Sequence, residues 1–196
     1  MSREDKSAED RTDPLKADAT GSLDGKLTAA EALGALTSRS DLAEDDRRQA
    51  HDILATLSLD AEQQVRASVA RAIADYPFLP PAVAERLAAD VSDVASPVLE
   101  RASVLTEGFL VDLIESGAAD EQAQISIATR PDLTEAVSGP LLRTGKRRAV
   151  ETILSNTSAK IDEDGYGALF ARDDLDGRML TLVSARQGLT APVVAQ

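Results

Sequence analysis

The stretch RPDLTEAVSGPLLRTG, residues 130–145, decides the fold because it repeats the outline of ASVLTEGFLVDLIESG, residues 102–117. In both stretches Leu-Thr-Glu follows a short polar approach and leads into an apolar run that ends in glycine. A Leu or Ile followed by a helix-starting residue recurs at intervals of 26 or 28 residues, at Leu79-Pro80, Leu105-Thr106, Leu133-Thr134, Ile161-Asp162 and Leu189-Thr190. This recurrence predicts one structural unit per interval.

Each interval is predicted to hold two helices. Thr106, Thr134 and Asp162 are each followed by Glu, so a capping side chain and a first-turn acid both complement the start of a helix. Second helices are predicted within SPVLERAS, DEQAQISIATR, KRRAVETILSN and DLDGRMLTLVSAR, the first of them capped by Ser96 with Pro97 as its first residue. We expect a kink or break at Gly139-Pro140, because proline removes a helix hydrogen bond.

A helical hairpin of this size cannot bury its apolar face alone, so neighbouring hairpins must supply the other wall of the core. Hydrophobic residues make up 43% of the chain but aromatic residues only 3%, which favours closely packed helices built on Ala, Leu, Val and Ile. The sequence therefore predicts an all-α protein: a short right-handed α-solenoid of stacked helical hairpins, similar to HEAT repeats.

The predicted solenoid follows a disordered N-terminal tail. Residues 1–26 mix both charges and contain few large apolar residues, so they cannot bury enough surface to offset the entropy of ordering. Residues 27–196 are predicted to form a single helical-repeat domain. Its first helix is expected to begin at Thr28, which has capping-box spacing to a glutamate, and the next two helices are expected over residues 43–57 and 61–75.

Several stretches of the chain resemble one bacterial family. VRASVARAIAD, LPPAVAERLAAD, VASPVLERASVLTEGFL, QISIATRPDLTEAVSGPLL and TILSNTSAKI resemble, in that order, the family named domain of unknown function 2336, over residues 27–189. The short repeats of that family are similar to HEAT-like and leucine-rich-variant repeats, so the resemblance also implies an α-solenoid. It brings no activity and no catalytic residue, and it implies a histidine in the region where Gln122 and Gln124 stand.

Composition excludes several classes of function. The formal charge of −13 disfavours binding to nucleic acid or to an anionic membrane, because such binding needs clustered Lys and Arg. The chain has no cysteine and a single histidine, His51, so we predict no metal site, no cofactor and no catalytic residue, and the protein is not expected to be an enzyme. Without a long apolar run or a signal sequence, we expect a soluble cytoplasmic protein.

A basic cluster stands out in this acidic chain. RTGKRRAV gathers Arg143, Lys146, Arg147 and Arg148, and three of these lie where a helix should begin. Cations at a helix N-terminus oppose the helix dipole, so the cluster is either a site for phosphate or an acidic partner, or its charges are screened by solvent or paired with acids of a neighbouring repeat.

Arg130 and Arg186 occupy like positions before the turns PDLT and QGLT. Either each guanidinium donates hydrogen bonds to the carbonyls that end a helix, or the arginines form a row that binds ligands. Asn156, at the matching corner, is expected to be a turn former or a C-terminal cap.

The function predicted from the sequence is a noncatalytic protein-interaction scaffold or adaptor that binds a partner protein on its surface. The alternative is a HEAT-like module that binds nucleic acid or a phosphate ligand through a local basic patch. The candidate binding residues are Arg130, Arg143, Lys146, Arg147, Arg148 and Arg186. If Arg130, Arg143, Arg147 and Arg186 lined one groove, an anionic ligand would be favoured; if they alternated with acids, a protein partner would be.

Overall fold

The computed structural model describes residues 19, 21–37 and 43–186, and these residues form eleven α-helices and no β-strand. In chain order the helices are α1 (Leu23–Thr37), α2 (Glu44–Leu57), α3 (Gln63–Ile73), α4 (Pro81–Ala88), α5 (Ser92–Arg101), α6 (Glu107–Glu115), α7 (Glu121–Ala128), α8 (Glu135–Thr144), α9 (Arg147–Ser155), α10 (Glu163–Phe170) and α11 (Gly177–Ala185). Within this part of the chain, no helix combines the length and the apolar character needed to cross a bilayer. The predicted all-α fold is confirmed.

The chain divides into two compact units, Met1–Leu105 and Thr106–Gln196. In the second unit each helix packs on the next helix but one, so that α6, α8 and α10 form one layer and α7, α9 and α11 form the other. Successive hairpins are therefore stacked, which is the solenoid-like arrangement that the repeat predicts.

The first unit contains a similar layer, in which α1 packs on α3 and α3 packs on α5. Helices α1 and α3 approach closely at Gly34, where a Cβ atom would lie 2.9 Å from the Cβ of Ala72. The α2 helix packs beside α1 and α3, and α4 packs beside α5. The largest fully buried side chains of this unit are aliphatic: Leu33, Leu54, Leu57, Ile73, Leu79, Leu87 and Leu99.

The helix starts predicted from the repeat are found where the structure describes them. Pro80, Thr106, Thr134 and Asp162 are the N-cap residues of α4, α6, α8 and α10. The side chains of Thr106 and Asp162 accept hydrogen bonds from first-turn backbone N–H groups at 3.2 and 2.8 Å. Thr134 does not cap through its side chain, and its buried hydroxyl oxygen has no hydrogen-bond partner among the described residues. The start predicted at Leu189-Thr190 lies outside the described residues.

Of the two predictions about proline, the start at Ser96-Pro97 is wrong; at Gly139-Pro140 the alternative of a break is wrong, and the alternative of a kink stays a prediction. Helix α5 does not begin at Ser96-Pro97 but at Ser92, because the extra turn buries Val94 and Ala95 on the apolar side of the helix. Helix α8 runs through Gly139-Pro140 without a break. In both helices proline is the sixth residue, where it removes one backbone hydrogen bond, and packing of the remaining helix compensates for that loss.

Helix α1 begins at Leu23, five residues before the predicted start at Thr28. The Ser22 hydroxyl accepts a hydrogen bond from the backbone N–H of Gly25 at 3.3 Å, so Ser22 caps the helix. The Thr28 hydroxyl donates to the carbonyl of Asp24 at 2.9 Å, as is typical of a threonine inside a helix.

The helices predicted over residues 43–57 and 61–75 are confirmed as α2 and α3, with small differences at their ends. Of the tail predicted over residues 1–26, residues 1–18 and 20 lie outside the described residues. The chain divides into two compact units, and that division does not decide whether residues 27–196 form the single repeat domain predicted from the sequence, which stays a prediction.

Candidate functional site

Arg186, which follows α11, satisfies the C-terminal end of α9. Its Nη1 donates to the carbonyl oxygens of Ile153, Leu154 and Asn156 at 3.1, 3.1 and 2.8 Å, and its Nη2 donates to that of Ala159. The cation therefore lies at the negative end of the α9 dipole. We call a side chain that follows one helix and binds the C-terminal end of the preceding helix of the same layer a C-terminal staple.

Asn156, which follows α9, forms the next C-terminal staple in this layer. Its Nδ2 donates to the carbonyls of Ala128 and Arg130 at 2.9 and 2.7 Å, at the end of α7. Its Oδ1 accepts hydrogen bonds from Ser158, which fixes the orientation of the amide. The capping role predicted for Asn156 is confirmed. Arg130 itself is half-buried beside this turn, and burial lowers the pKa of its guanidinium.

The other layer of the second unit is held in the same way. Arg172, after α10, donates through Nη1 to the carbonyl of Leu142 at 3.1 Å, near the end of α8. Its Nε and Nη2 also bind both carboxylate oxygens of Asp174, at 2.7 and 2.9 Å, and this contact lowers the pKa of Asp174. Arg143, near the end of α8, forms an ion pair of 2.6 Å with Glu115 at the end of α6.

The basic cluster at the start of α9 separates into paired and unpaired cations. Arg147 contacts Glu151 at 3.1 Å within its own helix and pairs with Asp176, the N-cap of α11. This pairing with an acid one repeat away is the alternative that the sequence left open. Lys146 and Arg148 are exposed, and neither side chain forms an ion pair within residues 19, 21–37 and 43–186.

A buried glutamine positions the start of α9. The Gln124 side chain is 4% exposed; its Oε1 accepts a hydrogen bond from the backbone N–H of Lys146 at 2.7 Å, and its Nε2 donates to the carbonyl of Ala119 at 3.1 Å. Both groups of the amide are used, so Gln124, in the region where the resemblance implies histidine, joins α7 to the N-cap of α9.

The six candidate residues do not come together in one groove. Arg147 and Arg186 contact opposite ends of α9, a helix of nine residues and about 13 Å in length. Arg130 lies at the C-terminal end of α7, and Arg143 belongs to the other layer. Arg143 and Arg147 each lie against acids, whereas Lys146 and Arg148 form no ion pair with the described residues.

Arg172 is not among the residues predicted from the sequence. Its guanidinium donates to a carbonyl near the C-terminal end of α8, as the guanidinium of Arg186 does at the end of α9. The signal is present in the sequence, because Ala171-Arg172 and Ala185-Arg186 both place an Ala-Arg pair at the end of an apolar run. A search for the same dipeptide after successive helices would have found both.

The stacked hairpins and their C-terminal staples define an all-α protein of helical repeats. The chain belongs to the family described as an uncharacterised protein conserved in bacteria (DUF2336), whose profile matches residues 94–196. The resemblance inferred for residues 27–93 lies outside that match. Comparison with curated proteins and with solved structures finds no match to this chain.

Proposed function

We propose that the protein is a noncatalytic scaffold or adaptor in the cytoplasm, and that it binds a partner protein on the surface of its stacked helices. The supporting observation is an open groove of about 540 Å³ between α8 and α10. Its lining carries both signs of charge, from Arg143, Arg172, Asp173 and Asp174. A protein surface offers both signs in return, whereas a nucleic-acid backbone offers only anions.

The C-terminal staples favour such a role because they hold the helices that form the groove. Arg172 ties the end of α8 to the segment after α10, and both elements line the groove. A surface that is already ordered loses less conformational entropy when a partner binds. The three staples, Asn156, Arg172 and Arg186, therefore serve the architecture and leave the groove itself preformed.

Lys146 and Arg148 are the cations of the basic cluster that remain available to a partner. Both are exposed just after the groove residue Thr144, while Arg147 between them is paired with acids. An acidic side chain of the partner could pair with either without breaking an existing ion pair.

The same two cations favour a second candidate, a module that binds nucleic acid or a phosphate ligand. Two exposed cations at a helix N-terminus are suited to one phosphate group. The net charge of −13 and the acids around Arg147 oppose the approach of a polyanion to this surface, so we rank this function second.

The test compares two double variants with the same change in charge. Lys146→Glu with Arg148→Glu reverses the available cations, and Arg48→Glu with Lys160→Glu reverses two exposed cations elsewhere. Tagged wild-type protein and both variants are used to capture partners from a bacterium that makes the protein, and each captured protein is then purified and titrated. We expect the first variant alone to lose binding by about tenfold or more.

Binding of labelled duplex DNA and of RNA is measured by fluorescence anisotropy with the same three proteins. A partner that binds the Lys146 and Arg148 variant as tightly as wild type would contradict the assigned residues. Tight, salt-dependent binding of nucleic acid that the variant loses, with no protein partner, would favour the second candidate.

A further inference from the structure

Arg71, on α3, is the cation for which the described part of the first unit provides no partner. Of the other cations there, Lys26, Arg48, Arg66 and Arg101 form ion pairs, Arg86 donates to a serine hydroxyl and Arg47 lies over a phenylalanine ring. Arg71 is exposed and makes no ion pair or side-chain hydrogen bond with residues 19, 21–37 and 43–105. Its guanidinium is therefore available to an acidic group of a partner without the loss of an ion pair within these residues.

Two grooves flank Arg71 on the same surface. The groove between α1 and α3 has a volume of about 480 Å³, and the groove between α3 and α5 has a volume of about 260 Å³; Arg71 lines both. The close contact of Gly34 with Ala72 lies in the first groove, so its floor is made of small residues. Ser68 and Gln64, one and two turns before Arg71 on α3, add uncharged polar groups. A peptide segment that crosses both grooves would contact the guanidinium of Arg71 near the middle of the segment.

The charges on the three helices form a pattern. Glu31 on α1 lines the first groove and Asp93 on α5 lines the second, and both are exposed. Asp93 accepts a hydrogen bond from Gln63 at 3.3 Å, and neither acid forms an ion pair with Arg71. Across α1, α3 and α5 the surface therefore presents negative, positive and negative charge in that order.

We propose that this surface of α1, α3 and α5 binds an extended segment of a partner protein that carries an acidic residue in its middle and a basic residue on each side. Neighbouring helix axes lie about 8–10 Å apart, and an extended segment in the polyproline II conformation advances about 3.1 Å per residue and brings every third side chain to the same face. The basic residues are thus about three positions before and after the acid. The acid pairs with Arg71, and the bases pair with Glu31 and Asp93. The inference rests on the proposed function and specifies a recognised motif within it.

The experiment selects a random peptide library displayed on phage against the immobilised full-length protein. The most enriched peptide is synthesised with a fluorescent label and titrated by anisotropy into wild type, Arg71→Glu and Arg48→Glu. The Arg48 variant carries the same charge change on α2, where Arg48 forms ion pairs with two acids of its own helix. We expect enriched peptides to share the basic, acidic, basic pattern, and Arg71→Glu alone to weaken binding by about tenfold or more.

A peptide with the reversed pattern of charges, acidic, basic, acidic, provides the complementary test and should bind Arg71→Glu more tightly than it binds wild type. Because Arg71 is exposed, far-ultraviolet circular dichroism and the urea midpoint of the variant should match wild type. Absence of enrichment, enrichment of peptides without a central acid, or equal binding to both variants would overturn the inference. A natural partner captured through Lys146 and Arg148 that ignores Arg71→Glu would overturn it while leaving the scaffold function standing.

Discussion

Asn156 offers the most direct measurement of what a C-terminal staple contributes. Replacing Asn156 with Ala removes two hydrogen bonds, of 2.9 and 2.7 Å, that its amide donates to the part-buried carbonyls of Ala128 and Arg130. A net contribution of about 0.5–1.5 kcal/mol for each bond predicts that the free energy of unfolding falls by about 1–3 kcal/mol. Loss of the acceptor for Ser158 loosens the turn after α9 in addition.

Asn156→Asp keeps the shape of the side chain but exchanges the two donors for a carboxylate oxygen. Near neutral pH this negative charge lies at the C-terminal ends of both α7 and α9. Repulsion from each helix dipole lowers the free energy of unfolding by about a further 0.3–1 kcal/mol, so the aspartate variant should be less stable than the alanine variant.

The free energy of unfolding is measured near neutral pH by urea denaturation, followed by circular dichroism. Ser155→Ala is the control, because the Ser155 hydroxyl donates only to the carbonyl of Glu151 in its own helix, at an exposed position. It should change stability by less than about 0.5 kcal/mol. If Asn156→Ala behaved like this control, or if the aspartate variant were as stable as the alanine variant near neutral pH, Asn156 would not be a staple.

Four further predictions follow, three for the first unit and one, at Gly167, for the second. Burial lowers the pKa of His51 below its usual 6.5, so the folded state favours the neutral ring. The urea midpoint of wild type should therefore fall as pH decreases through about 6.5, and that of His51→Gln should not. Gly34→Ala places a Cβ atom 2.9 Å from that of Ala72 and should cost about 1–3 kcal/mol in urea unfolding, partly recovered by Ala72→Gly. Gly167→Ala, with nothing within 4 Å, should instead gain about 0.5–1 kcal/mol. Asp90→Asn should lower the free energy of unfolding by about 1–3 kcal/mol near neutral pH, because Asp90 accepts hydrogen bonds of 2.6 and 3.0 Å from an arginine of α3. These bonds lower the pKa of Asp90, so the difference between the variant and wild type should shrink in acid, where wild-type Asp90 gains a proton. A difference that stayed the same in acid would contradict this assignment.

The repeat was predictable because its signals are local. A buried Leu at residue 79, 105 or 133 directly before a capping residue marks a helix start within a few residues of chain, and those starts are the observed ones. The start of α5 was not predictable in this way. The cost of Pro97 inside a helix is visible in the sequence, but the burial of Val94 and Ala95 that compensates for it depends on packing against other helices.

The roles of the arginines depended on the spatial register of the repeats. Arg143 and Arg147 find their acids, Glu115 and Asp176, 28 and 29 residues away, so their pairing is set by how neighbouring hairpins stack. Chain spacing suggests that some acid of the next repeat is near but does not identify it. That no residue of the described part of the first unit pairs with Arg71 is also a result of how the helices pack, and the sequence of α3 does not predict it.

The C-terminal staples also have a consequence for biosynthesis. The donor that completes the end of α9 is Arg186, 30 residues beyond Asn156. At ribosomal rates of about 5–20 residues per second, this donor is made about two to six seconds after the carbonyls it will bind. During that interval the growing chain offers unsatisfied acceptors at its newest hairpin. Folding on the ribosome should therefore proceed from the N-terminus, and each newly made hairpin should supply the hydrogen-bond donors that complete the hairpin before it.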